Sequence, residues 1–112
     1  MELQAKAGVV ESLLKSVGNR NRLIILCELL KGERSVTSLQ SAVGLSQSAL
    51  SQHLARLRED DIVATRRESQ TIYYSLASDK VGRLIGLLYE LYCAPGCEPK
   101  DGAPKTKKGK LT

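Results

Sequence analysis

The chain has 112 residues and a formal net charge of +5, with 42% hydrophobic residues but no Phe and no Trp. That length supports one core of Leu, Ile, Val, Ala and Tyr and excludes two domains, and so small an aliphatic core is commonly completed by dimerisation. Its longest apolar runs, Leu23 to Cys27 and Ile85 to Tyr89, are too short for a membrane span, and nothing resembles a secretory leader, so a cytoplasmic protein is expected.

In chain order, Leu3, Val10, Leu13, Leu14 and Val17 recur at helical spacing and predict a first amphipathic helix, broken near Gly18-Asn19. A second helix is expected over about Arg20 to Leu30. Leu23, Leu26, Cys27 and Leu30 share one of its faces while Ile25 and Leu29 lie on the other, the pattern of a central helix. Ser35 to Val43 reads as a short third helix with Thr37 as its cap, Leu39 and Val43 inward, and Gly44 at its end.

Residues 44 to 58 carry the strongest signal. Ser46 is suited to cap a fourth helix, in which Leu50, Leu54 and Leu57 form one narrow apolar stripe. Ser48, Ser51, Gln52 and Ala55 lie opposite it, with Gln47 at the edge. Such a face usually carries Glu and Lys when it meets only water; here residues 46 to 55 hold no formal charge unless His53 is protonated. Short hydrogen-bonding side chains suit base edges, and the trailing Arg56 and Arg58 suit phosphates. Helix, Gly-containing turn and Ser-capped helix form the helix-turn-helix arrangement.

After the acidic stop Glu59-Asp60-Asp61, the period changes to that of strands. Ile62 to Arg66 and Thr71 to Leu76 predict a hairpin, with Arg67-Glu68-Ser69-Gln70 as its loop. Arg66 and Arg67 are then expected near the tip of this wing, against phosphates or the minor groove. Ser78 or Asp79 opens a last helix whose Val81, Leu84, Ile85, Leu88, Leu91 and Tyr92 make a long stripe; with the first helix it is read as a homodimer interface. The fold is thus mainly α with a two-stranded β wing, a winged helix-turn-helix domain over residues 1–97. Residues 98–112 are read as a disordered basic tail holding five lysines against Glu98 and Asp101, suited to non-specific DNA affinity or to solubility.

Three cysteines without a leader argue against a disulfide scaffold and for thiol chemistry, metal binding or packing. Cys27 lies among leucines, as a packing residue would; Cys93 ends a helix beside Pro95-Gly96, where access is easier. No Cys-x-x-Cys and no cofactor loop is present, so neither an enzyme nor a bound cofactor is expected.

The Gly-Leu-Ser-Gln-Ser-Ala-Leu-Ser-Gln-His-Leu-Ala-Arg-Leu-Arg stretch at 44–58 and the Asn-Arg-Asn-Arg-Leu-Ile-Ile-Leu opening at 19–26 resemble the ArsR family of dimeric winged-helix repressors, over about residues 8–94. The resemblance implies double-stranded DNA with an inverted-repeat operator as partner, and Gln47, Ser48, Ser51, Gln52, His53, Arg56, Arg66 and Arg67 as DNA contacts. The thiolate metal site that many members carry would fall on Ser35-Val36-Thr37-Ser38-Leu39, which lacks Cys, and residues 79–93 lack the His of the zinc-binding members. No metal is therefore expected at either. The settings of Cys27 and Cys93 resemble the BigR/SqrR/HlyU-like dithiol branch, which implies that these two thiols sense reactive sulfur species or oxidants by becoming linked, with loss of DNA binding. An alternative keeps DNA binding but makes Cys27, Cys93 and Cys97 a site for a soft metal or metalloid.

Overall fold

Helix α2 (Arg20–Leu30) is the centre of the molecule: it packs against α1 (Glu2–Val17), α3 (Val36–Val43), α4 (Gln47–Glu59), α5 (Asp79–Tyr92) and the strand β3 (Thr71–Leu76). Two further strands, β1 (Arg34–Ser35) and β2 (Val63–Glu68), complete the fold in this computed structural model, which describes residues 2–93. Ile25, Leu26 and Leu29 of α2 are buried together with Leu39, Leu50, Leu54, Leu57, Ile62, Val63, Val81 and Ile85. The two-sided apolar character of α2 thus reflects its position between α1 and α5 and the helix-turn-helix of α3 and α4. No helix among the described residues is long and apolar enough to cross a membrane.

Four helices begin where the sequence supplies a side-chain oxygen for free amides. Asn19 accepts from the Asn21 and Arg22 amides, Ser46 from Ala49 and Ser78 from Val81, each such cap being worth about 1 kcal/mol. The cap of α3 is Ser35, which accepts from the Ser38 amide, and not the expected Thr37. Ser35 closes β1 with an extended backbone (φ −73°, ψ 161°) that aims its hydroxyl into the first turn, whereas Thr37 already lies inside the helix and exposed. At the other end Gly44 takes φ +74°, and a methyl group placed on it would touch nothing, so the requirement for glycine comes from the backbone angle alone.

The wing departs from expectation in two ways. The sheet has three antiparallel strands in the order β1-β3-β2, because Arg34 and Ser35 pair with Tyr74 and Tyr73. A two-residue strand has no alternation to read in sequence. In addition β2 runs on through Glu68, so Arg67 and Glu68 are ladder residues and the tip is Ser69-Gln70, with Ser69 at φ +60°. Arg66 therefore sits opposite Tyr73 and Arg67 opposite Ile72, below the tip where they were expected.

The α5 stripe is likewise divided. Val81 and Ile85 are buried in the chain's own core, with Leu84 and Leu88 packed against it. What remains exposed is Leu87, Tyr89, Leu91 and Tyr92, alongside Leu3, Val9, Val10 and Leu14 of α1. The basic tail, residues 98–112, and Cys97 lie outside the described residues.

Candidate functional site

On α4 the three stripe leucines are at most 2% exposed, which fixes the helix's rotation and turns Gln47, Ser48, Ser51, Gln52 and Ala55 to the surface. His53 is half-buried on the flank. The outward face is short, uncharged and rich in donors and acceptors, so a groove floor can approach the helix backbone closely.

The end of α4 is tied to α1. The buried Ser16 hydroxyl donates to the Asp60 carboxylate, and Arg56 Nε donates to the same oxygen at 2.8 Å. Arg22 Nε in turn donates to the Ser16 carbonyl at 2.6 Å, bracing the α1–α2 corner. The Ser16 hydrogen bond, then Arg56, hold the Asp60 carboxyl below its ordinary value. This joint is therefore complete above about pH 4 and weakens as acid protonates Asp60 through the lowered value. Sequence reading took Asp60 only as a helix stop, since its partners are 44 and 4 residues away.

Arg66 is also engaged. Its Nε and Nη2 donate to the two oxygens of Glu33 at 2.8 and 2.9 Å, a bidentate pair, while Nη1 reaches Glu68 at 3.0 Å. The guanidinium lies 4.7 Å from the Tyr73 ring centre. Glu33, 33 residues away and just before β1, carried no signal of this in sequence.

The two thiols are on α2, which packs against α5, and just past the end of α5. Cys27 is half-buried and Cys93, which follows the last turn of α5, is exposed. Burial pushes the Cys27 thiol up; next in size comes repulsion from a Cys93 thiolate, and Glu28 adds to it. Cys27 is therefore a protonated thiol at neutral pH. Alkylation by iodoacetamide at pH 7 is expected to modify Cys93 well before Cys27, with Cys27 catching up only as the pH rises beyond the usual thiol range. Peptide mass spectrometry over a pH series measures both; equal rates at pH 7 would contradict this arrangement. Among the described residues no three His, Cys, Asp or Glu side chains cluster as a metal ion would need. The three-thiol alternative depends on Cys97, outside those residues.

Residues 19–65 match the family model described as bacterial regulatory protein, arsR family. The chain is 51% identical over 92 residues to the transcriptional activator HlyU of Vibrio cholerae, covering 82% of this chain and 85% of that one. The solved structure of reduced HlyU from that species superposes with a TM-score of 0.79 at 50% identity, over 83% of this chain and 98% of that one. The biofilm growth-associated repressor of Agrobacterium fabrum is 45% identical over 93 residues, covering 83% and 80%. A solution structure of a homodimeric winged helix-turn-helix DNA-binding domain from Mycobacterium bovis superposes with a TM-score of 0.71 at 33% identity, over 79% and 82%. With an exposed, uncharged reading helix behind a Gly44 turn and relatives of this closeness, the chain belongs to the ArsR family of bacterial DNA-binding transcriptional regulators, in the branch of HlyU and the biofilm growth-associated repressor.

Proposed function

We propose that this chain is a homodimeric cytoplasmic repressor that binds an inverted-repeat operator and releases it when reactive sulfur species or oxidants link Cys27 to Cys93. The observation that supports the reading is a half-buried thiol on the central helix and an exposed one just past the end of α5, the helix that packs against α2. The exposed apolar faces of α1 and α5 and the homodimeric M. bovis neighbour support the dimer. The repressor among the relatives supports the direction of control.

With a persulfide R–S–SH, the Cys93 thiolate attacks the outer sulfur, giving Cys93–S–SH and the thiolate RS⁻. The Cys27 thiol then gives its proton to solvent and attacks the inner sulfur, forming the Cys27–Cys93 disulfide and expelling HS⁻. With a two-electron oxidant, the same bond forms as the two thiols give up two protons and two electrons. A direct bridge requires Cα atoms within about 7 Å, and intervening sulfur atoms relax that limit. Linking α5 to α2 shifts the dimer helices against the body that carries α4. The two reading helices must stay about one DNA turn, roughly 34 Å, apart, so both half-sites weaken together.

The test is operator binding, with the operator selected from a randomised duplex pool, before and after a persulfide, peroxide or oxidised glutathione. A loss of about 5- to 150-fold is expected for at least one of them, and Cys27→Ser and Cys93→Ser proteins should not respond. Unchanged affinity under all three reagents would eliminate the sensor role while leaving DNA binding intact.

A further inference from the structure

Four arginines crowd the DNA side of this fold: Arg56 and Arg58 at the end of α4, and Arg66 and Arg67 on β2. We infer that Arg58 and Arg67 are the phosphate-binding pair, and that Arg56 and Arg66 are positioning residues already neutralised by the protein's own carboxylates. This rests on the chain's reading as a DNA-binding regulator and assigns, within that site, which cations meet the nucleic acid.

Two independent observations separate the pairs. The first is engagement: Arg56 pairs with Asp60, and Arg66 with both Glu33 and Glu68, whereas among the described residues Arg58 and Arg67 make no ion pair. To bind a phosphate, Arg66 must give up its bidentate pair with Glu33 and Arg56 its single charge-assisted hydrogen bond to Asp60, so the net gain is small, most of all for Arg66. The second is direction. In β2 side chains alternate, so Val63, Thr65 and Arg67 share one face and Ala64, Arg66 and Glu68 the other. Tyr74, opposite Thr65, lies on Arg67's face and lines an open groove with Ser51, Ala55 and Arg58 of α4. Arg67, opposite Ile72, extends that face toward the tip. Glu59 shares the groove's rim without pairing with Arg58. Arg66 lies on the opposite face, over Tyr73, turned to the loop that carries Glu33. The free cations thus flank the groove between reading helix and wing, where a phosphate backbone would run; the engaged ones fasten α4 to α1 and the wing to the loop before β1.

Salt dependence distinguishes contact from support, because each phosphate neutralised adds about 0.9 to the slope of log affinity against log salt concentration. The probe is a mixed-sequence duplex about three helical turns long, titrated at several salt concentrations with the full-length chain. Arg58→Ala and Arg67→Ala are each expected to lower the slope by about 1 per subunit bound, and Arg58→Lys and Arg67→Lys to restore it. Arg56→Ala and Arg66→Ala are expected to leave the slope unchanged even where affinity falls a few-fold through a loosened helix or wing. A slope drop of about 1 in Arg66→Ala or Arg56→Ala, or none in Arg58→Ala and Arg67→Ala, overturns the assignment. Failure of the unaltered protein to bind the duplex would instead overturn the DNA-binding reading itself. Melting curves of each variant identify any slope that reflects unfolding.

Discussion

Leu14→Glu is expected to convert the dimer to a monomer and to weaken operator binding by about 10²- to 10⁴-fold, the avidity that joining two half-sites contributes. Leu14 on α1 is 53% exposed in the isolated chain and Leu91 on α5 is 58% exposed, so neither supports the protomer's core, and each would leave a large apolar side chain in water if nothing covered it. A carboxylate there meets its own symmetry mate across a two-fold interface, or is buried unpaired, and both outcomes are costly. Leu91→Glu should behave alike. Sedimentation gives the oligomeric state and operator titration the affinity, with the helical content of the protomer unchanged. A variant that stayed dimeric with full operator affinity would show that these faces do not form the interface.

Leu54→Ala is expected to have the largest effect on stability. Leu54 is 2% exposed, lies in the middle of the α4 stripe and belongs to the same buried cluster as Leu26, Leu50 and Leu57. Removing its three terminal carbons loses their transfer free energy and leaves a cavity that the surrounding helices only partly close, together about 2–5 kcal/mol. Domains of this size are stable by about 5–15 kcal/mol, so thermal unfolding should shift by roughly 4–8 °C for each kcal/mol lost. Because Leu54 also fixes the rotation of the reading face, operator affinity should fall even at temperatures where the variant is folded. Calorimetry and operator titration at low temperature measure the two effects separately. A melting temperature within a degree or two of the unaltered protein would mean that the site collapses around the smaller side chain.

The two thiol-bearing elements and the reading helix have different requirements, and this accounts for their placement. The reading helix is held rigidly from both ends, by the Ser46 cap and Gly44 turn before it and by the Ser16–Asp60–Arg56 joint after it. That joint ties the end of α4 to α1. Cys27 lies on α2 and Cys93 just past the end of α5, the two helices that pack together.

Much of this architecture was legible without coordinates, because local spacing decides it. The 3.6-residue recurrence of Leu50, Leu54 and Leu57 sets which face of α4 is outward, and the αL requirement at Gly44 sets the turn before it. The β-branched and aromatic run Thr71–Leu76 needed no partner to be read as a strand. Errors arose where a residue's role depends on a neighbour distant in sequence. Thr37 looked like a cap until the β1–β3 pairing placed Ser35 at the helix start. Arg66 and Arg67 looked equivalent as adjacent cations, and only strand alternation together with Glu33 separates them.

The sequence by itself therefore determined the family, the order of the helices and the outward face of α4, because periodicity, capping chemistry and glycine's backbone freedom act within a few residues. Only the tertiary structure decided which arginines are held by carboxylates and which half of α5 faces the chain's own core. Those outcomes depend on side chains tens of residues apart meeting in space, and an ion pair or a shared contact of that kind leaves no periodic trace along the chain.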